Sequence, residues 1–174
     1  MKRNNVNLAA VGALVERAKM DPGAAKLQKR VEGTWNFRDG APQYTATVTH
    51  GDSKSTLLAD MAVPFGGAGL APDPLQYMLF GLAACYTATL VMIASMEGVD
   101  LGDVKAVAEN AVDVSKVFGL GERPLVERVS VRVTVNAAVD DARLARWAQA
   151  ARESCPFAFT VANAVPLETR VERA

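Results

Sequence analysis

LQYMLFGLAACYTATLVMIASM, residues 75–96, carries no charged side chain and is introduced by Pro72-Asp73-Pro74. Asp73 suits a helix N-cap, and Pro74 suits the first helical position, where its missing N–H costs nothing. The stretch is therefore a helix that is apolar on every side. On length alone it would span a membrane. Against that stand Gln76, Tyr77, Thr87, Thr89 and Ser95, two clusters of small residues, and flanks without a basic cluster or a second span. A helix apolar all round is equally the buried centre of a fold, and that reading is preferred here.

Working outward, the stretches on either side are strand-like. Upstream, Tyr44, Ala46, Val48 and His50 alternate with Thr45, Thr47 and Thr49, with turns at Arg38-Asp39-Gly40 and Gly51-Asp52. Before them Leu8, Val11, Leu14, Val15 and Ala18 fall at helical spacing, ended by Asp21-Pro22-Gly23. Downstream, Val129, Val131, Val133 and Val135 alternate with Ser130, Arg132, Thr134 and Asn136. Asp140 and Asp141 then open a helix carrying Leu144, Trp147, Ala148 and Ala151, which Pro156 should end or bend. A last apolar run, Ala164 to Val171, reads as a closing strand. The order α, βββ, α, ββ, α, β is an α+β layout. It divides into an N-terminal helical extension, residues 1–25, and one domain, residues 26–174.

Composition removes whole classes of function. With 174 residues, 50% of them hydrophobic and 22% charged, the chain is an ordinary globular domain that can bury its own core. Basic and acidic residues balance at 19 each, so no basic face is set aside for nucleic acid. The N-terminal apolar run is broken by Glu16, Arg17 and Lys19 and makes a poor signal peptide. The expected location is the cytoplasm, with no membrane partner. There is no CxxC, no HExxH and no Cys/His ligand cluster, so neither a metal nor a cofactor is expected. The single histidine, His50, sits at a strand end and reads as a surface residue rather than a catalytic base. Gly66-Gly67-Ala68-Gly69 lacks the ending of a phosphate loop and reads as a flexible lead-in to the helix.

Two cysteines remain. Cys85 lies mid-helix among small residues, and Cys155 stands at a helix end before a proline. Each alone reads as a small buried hydrophobe; together, in a reducing compartment, they also read as a redox couple. Their sequence separation of 70 residues leaves both readings open.

The segment from Pro72 to Leu79, running on through Leu82-Ala83-Ala84-Cys85, resembles the central-helix motif of the OsmC/Ohr family of osmotically inducible and organic-hydroperoxide-resistance proteins. Ser154-Cys155-Pro156-Phe157 is similar to the second cysteine of that family, and the order agrees from about Lys26 to the C-terminus. The N-terminal helix and Val117-Phe118-Gly119-Leu120-Gly121 look like an OsmC-like subgroup that carries such an extension. The resemblance implies an intertwined homodimer, two β-sheets wrapped around long central helices, with reactive sites at the subunit interface. It further implies that Cys85 attacks a hydroperoxide, that Cys155 resolves the product as a disulfide, and that a dithiol of lipoyl or small-thiol type restores both. Because burial raises a thiol's pKa, a cation should sit nearby. The family uses an arginine held by a glutamate, and Arg38 fits the arginine's place.

The glutamate is where the sequence departs. The positions just after Pro74 hold Leu75 and Gln76, and Gln76 accepts a hydrogen bond without bringing a charge. Asp73 is the nearest carboxylate, and capping the helix is its expected job. Two functions follow as expectations: a peroxidase working through a Cys85–Cys155 disulfide, or a catalytically weak relative binding an apolar ligand in the interfacial pocket. Gln76 favours the second and Cys155 the first.

Overall fold

A computed structural model of the chain describes residues 1–173. They divide into two compact units, one of residues 1–8 with 81–173 and the other of residues 9–80.

The first unit opens on a hairpin of β1 (Lys2–Arg3) and β2 (Val6–Asn7). Its two-residue turn, Asn4-Asn5, has positive φ at both positions, which asparagine tolerates better than other side chains. Asn4 ties the hairpin down: its Nδ2 donates to Ser95 Oγ and to the Val99 carbonyl, and its Oδ1 accepts from the Leu101 N–H, all at 2.9 Å. Arg3 adds an ion pair to Asp100.

Two long strands form the sheet of this unit. β6 (Val104–Val112) and β7 (Val126–Val135) pair antiparallel from Val104↔Val135 to Val112↔Val126, with an irregularity at Ala111/Val112. The expected alternation along β7 is present, with Val129, Val131, Val133 and Val135 partly buried and Arg132 and Thr134 exposed. Against the sheet pack the later turns of the apolar helix and α3 (Asp141–Ser154), giving a core of Leu90, Ala94, Trp147 and Ala151. Asp140 Oδ1 caps α3 by accepting the Arg143 N–H at 2.7 Å. The Arg143 guanidinium in turn holds Glu97 at 2.7 Å and lies over the Trp147 ring.

In the second unit α1 (Leu8–Met20) is followed by a three-stranded antiparallel sheet in the order β3 (Glu32–Trp35), β4 (Tyr44–His50), β5 (Ser53–Ala59). The 60–72 loop is built on Asp60. Its buried carboxylate accepts the N–H groups of Ala68 and Leu70 at 2.9 and 3.0 Å, and its own N–H donates to the Pro72 carbonyl. Gly67 is required here, because a Cβ would fall 1.6 Å from the Met61 carbonyl oxygen. The glycine-rich run is thus a fixed loop held by a carboxylate rather than a flexible lead-in.

The decisive helix is α2 (Pro74–Met96), long and apolar enough to cross a membrane by length and composition, a test that the core helix of a soluble protein also passes. Asp73 Oδ1 accepts the N–H groups of Leu75 and Gln76 at 2.8 and 3.1 Å, and Gln76 Oε1 accepts the Asp73 N–H at 2.9 Å. That reciprocal pair is a capping box. At the other end Gly98 takes a left-handed φ of 77°, its N–H donating to Ser95 and that of Val99 to Ala94. This 6→1 and 5→2 pairing is a Schellman stop.

Two elements toward the C-terminus also differ from the sequence reading. Pro156 ends α3 as expected but also starts α4 (Pro156–Ala162), since proline is as well suited to a first helical position as to a terminus. The closing strand expected at 164–171 is not formed: those residues carry no regular structure, and Val165, Leu167 and Val171 are exposed. Apolar residues at strand spacing make a strand only where another edge accepts their hydrogen bonds.

Candidate active site

Two helix mounts bring the cysteines together. Cys85 sits on α2, and Cys155 is at once the C-cap of α3 and the N-cap of α4. Its N–H donates to the Ala151 carbonyl at 2.9 Å, while its Sγ accepts the Ala158 N–H at 3.4 Å. A residue fixed from both sides has little freedom, and Cys155 is fully buried. Its Sγ lies 3.3 Å from Cys85 Sγ, within reach of a thiol–thiol hydrogen bond. Both are free thiols, and a disulfide would need the sulfurs to close by about 1.3 Å.

The surroundings set the acidity of Cys85. Burial pushes its thiol above the ordinary value. The Phe157 N–H opposes this by hydrogen bonding to the sulfur, and Cys155 raises it further through a hydrogen bond and its charge.

Phe157 has a second part in this arrangement. A Cβ placed on Gly81 would stand 2.6 Å from the ring carbon Cε2 of Phe157 and 3.2 Å from Cζ. Gly81 is one helical turn before Cys85, so its missing side chain makes the space in which Phe157 lies across α2. Gly81 was not picked out from the sequence, and Phe157 only as the last residue of the motif around Cys155. The signal available was a glycine four positions before a cysteine, on the same helical face.

Beside the couple is a cavity of about 340 Å³, lined by Leu82, Tyr86, Val129, Ser130, Val131, Arg152, Ala158, Val161 and Ala162. The Tyr86 hydroxyl donates to the Ala148 carbonyl at 2.9 Å. Burial holds its phenol above the ordinary value, a charged Cys155 would add to that, and Arg152 opposes both.

The other sequence candidates, Arg38 and Gln76, belong to the 9–80 unit. Arg38 is exposed in the turn before β4, with its backbone N–H donating to Asn36 Oδ1 at 3.0 Å. Gln76 is engaged in the capping box, which gives it a structural duty of its own. His50 Nε2 pairs with Ser55 Oγ at 2.8 Å on the exposed surface of the hairpin. Among the described residues no group of three or more His, Cys, Asp or Glu side chains is placed to hold a metal.

The family model of OsmC-like proteins matches residues 66–170. No curated protein matches the sequence. Solved structures with a similar fold include the organic hydroperoxide resistance protein OsmC of Legionella pneumophila, 20% identical, covering 78% of this chain and 91% of that one with a TM-score of 0.55. An OsmC-like protein of unknown function from Vibrio cholerae is 18% identical over 76% and 92% of the two chains, with a TM-score of 0.58. The OsmC-like protein of Mycoplasma pneumoniae is 16% identical over 79% and 91%, with a TM-score of 0.55. The α+β order, the long central helix and the match over residues 66–170 place this chain in the OsmC-like family.

Proposed function

We propose that the protein is a thiol-dependent peroxidase that reduces organic hydroperoxides to alcohols through a disulfide between Cys85 and Cys155. The observation that carries this reading is the 3.3 Å separation of two free sulfurs held on separate helices. The Cys85 thiolate attacks the outer peroxide oxygen; the O–O bond breaks, the alcohol leaves with a proton, and Cys85 becomes a sulfenic acid. Cys155 then attacks that sulfur, releasing water and forming the disulfide. A dithiol reductant, of lipoyl or small-thiol type, gives up two electrons and two protons to restore both thiols. Cys85 is the more accessible of the two and Cys155 is fully buried, which supports this division of roles.

Arg38 is the cation proposed to favour the thiolate, on its place in the sequence, and Gln76 is its proposed neutral acceptor. A homodimer with the site at its interface is part of the same reading. It is supported by apolar side chains left exposed in each unit, among them Phe80 at 72% on α2 and Leu120 at 78%. Each is more exposed than a lone soluble chain favours in such numbers.

The second reading, a weak catalyst that binds an apolar ligand, is favoured by the raised Cys85 thiol and by the absence of a carboxylate at 75 and 76. Consumption of cumene hydroperoxide with dihydrolipoamide separates the two. The peroxidase turns over, Cys85→Ser abolishes it, and Cys155→Ser gives one oxidation without turnover. A wild-type protein that consumes no hydroperoxide leaves the ligand-binding reading.

A further inference from the structure

We propose that closing the Cys85–Cys155 disulfide loosens α4, so that oxidation itself opens the couple to its reductant. The proposal rests on the pairing of the two cysteines in the peroxidase reading and adds how that pair is recycled.

Cys155 joins two helices that are held unequally. On the α3 side its N–H donates to the Ala151 carbonyl at 2.9 Å, and Trp147 and Ala151 anchor that helix in the core. On the α4 side the first turn hangs on the couple itself. A helix leaves its first N–H groups without a partner inside the helix. Pro156 has none to offer, so the donors to be satisfied are those of Phe157 and Ala158. Phe157 N–H bonds to the Cys85 sulfur, and Ala158 N–H to Cys155 Sγ at 3.4 Å. Both donors therefore depend on sulfur. The next, Phe159 N–H, is the first to find a carbonyl, that of Cys155 at 2.9 Å.

Forming the disulfide disturbs both acceptors at once. Each sulfur gives up its S–H for an S–S bond, and together they close a gap of about 1.3 Å. Sulfur is a weak acceptor to begin with, and a half-buried N–H left without one is costly. Little else holds α4. It has seven residues, none of them fully buried, and residues 164–173 beyond it carry no regular structure. A helix that short is marginal by itself. Its one inward anchor is the Phe157 ring against Gly81, one turn before Cys85.

Loosening α4 supplies what recycling requires. A dithiol must bring a thiolate in line with the S–S bond, and Cys155 is fully buried. The first thiolate displaces one sulfur of the couple, the second thiol closes a disulfide within the reductant, and two electrons and two protons pass to Cys85 and Cys155. In the reduced protein α4 is capped again and Cys155 is covered.

The oxidised protein for the test is made with diamide, which takes two hydrogens from a dithiol without peroxide chemistry. Amide hydrogen exchange at residues 157–159 should be at least tenfold faster than in the reduced protein, with exchange at Trp147 and Ala151 unchanged. Cys155→Ser, which keeps a capping side chain and cannot form the disulfide, should show no change with diamide. Equal exchange at 157–159 in the oxidised and reduced proteins overturns the proposal. Thr160, exposed on α4, gives a second reading. Helix propensity makes the open form about fivefold more populated with glycine there than with alanine. Dithiothreitol should therefore reduce oxidised Thr160→Gly about fivefold faster than oxidised Thr160→Ala, and equal rates overturn the proposal. Failure of diamide to form any disulfide overturns the pairing and the opening together. A disulfide that loosens α4 in a protein that consumes no hydroperoxide overturns the peroxidase reading and upholds the opening.

Discussion

Replacing Gly81 by alanine pits two effects of known size against each other. In a helix interior, alanine is favoured over glycine by about 1 kcal/mol, so propensity alone predicts a more stable protein. The structure predicts a collision instead. The new Cβ would stand 2.6 Å from Phe157 Cε2, whereas ordinary contact begins at 3.4 Å, so the ring must retreat by about 0.8 Å. Overpacking of this kind typically costs about 1–3 kcal/mol, which leaves Gly81→Ala near neutral to about 2 kcal/mol less stable. The larger consequence is chemical. The N–H of Phe157 bonds to Cys85, and Cys155 is only two residues before Phe157, so displacing the ring displaces both partners of the couple. Thiol counting under excess organic hydroperoxide should show disulfide formation slowed by about tenfold in Gly81→Ala, since small misplacements of reacting groups cost rate steeply. Adding Phe157→Leu, which vacates the contested space, should recover much of the rate. A Gly81→Ala protein that is about 1 kcal/mol more stable and closes its disulfide at the wild-type rate would refute the reasoning.

Three further outcomes are expected. The Leu70 amide hydrogen bond, followed by those of Ala68, Gln43 and Gly69, outweighs burial and holds the Asp60 carboxyl below the usual carboxylate range. The stability it contributes is therefore complete above the unfolded value of about 3.9 and is lost as pH falls through the lower folded value. Asp60→Asn should lower the unfolding midpoint at pH 7, with the gap to wild type narrowing in acid; parallel curves would remove Asp60 from this role. Gln76→Glu keeps the capping box and adds a negative charge at a helix N-terminus, so stability should change by less than about 1 kcal/mol. Hydroperoxide reduction should become faster and lose that gain when Arg38→Ala is added; a gain independent of Arg38 would show that Arg38 is not the cation concerned. If the exposed apolar faces are covered by a second copy, the unfolding midpoint should rise with protein concentration, and a midpoint independent of concentration would argue for a monomer.

The helix of residues 74–96 was legible because both ends are written locally, in Asp73-Pro74 and in Gly98, and because no charge interrupts it. The alternation of β7 was legible from its own residues too: one face is apolar over the seven residues from Val129 to Val135. Where the reading depended on distant partners it failed. Ala164 to Val171 has strand-like composition but no strand beside it, and pairing is not a property of the segment itself. The Asn4-Asn5 turn was passed over ahead of the N-terminal helix, although two asparagines in succession are a turn signal. Gln76 was read as a missing carboxylate, while the spacing Asp73-x-x-Gln76 already described a capping box. At the site, the residues alone left the proximity of the two cysteines open, because 70 residues of intervening chain decide it, and only the family resemblance implied that they meet.

The central claim is that Cys85 and Cys155 form one redox couple. Its most direct test is to add one equivalent of cumene hydroperoxide to the reduced protein, count free thiols, and map the product by mass spectrometry after proteolysis without reductant. The account predicts that both thiols disappear together and that a peptide containing Cys85 is joined to one containing Cys155, with the mass of each chain lower by two hydrogens. Dihydrolipoamide should return both thiols. Retention of both thiols, or oxidation of Cys85 alone to a sulfinic acid while Cys155 remains reduced, would contradict it.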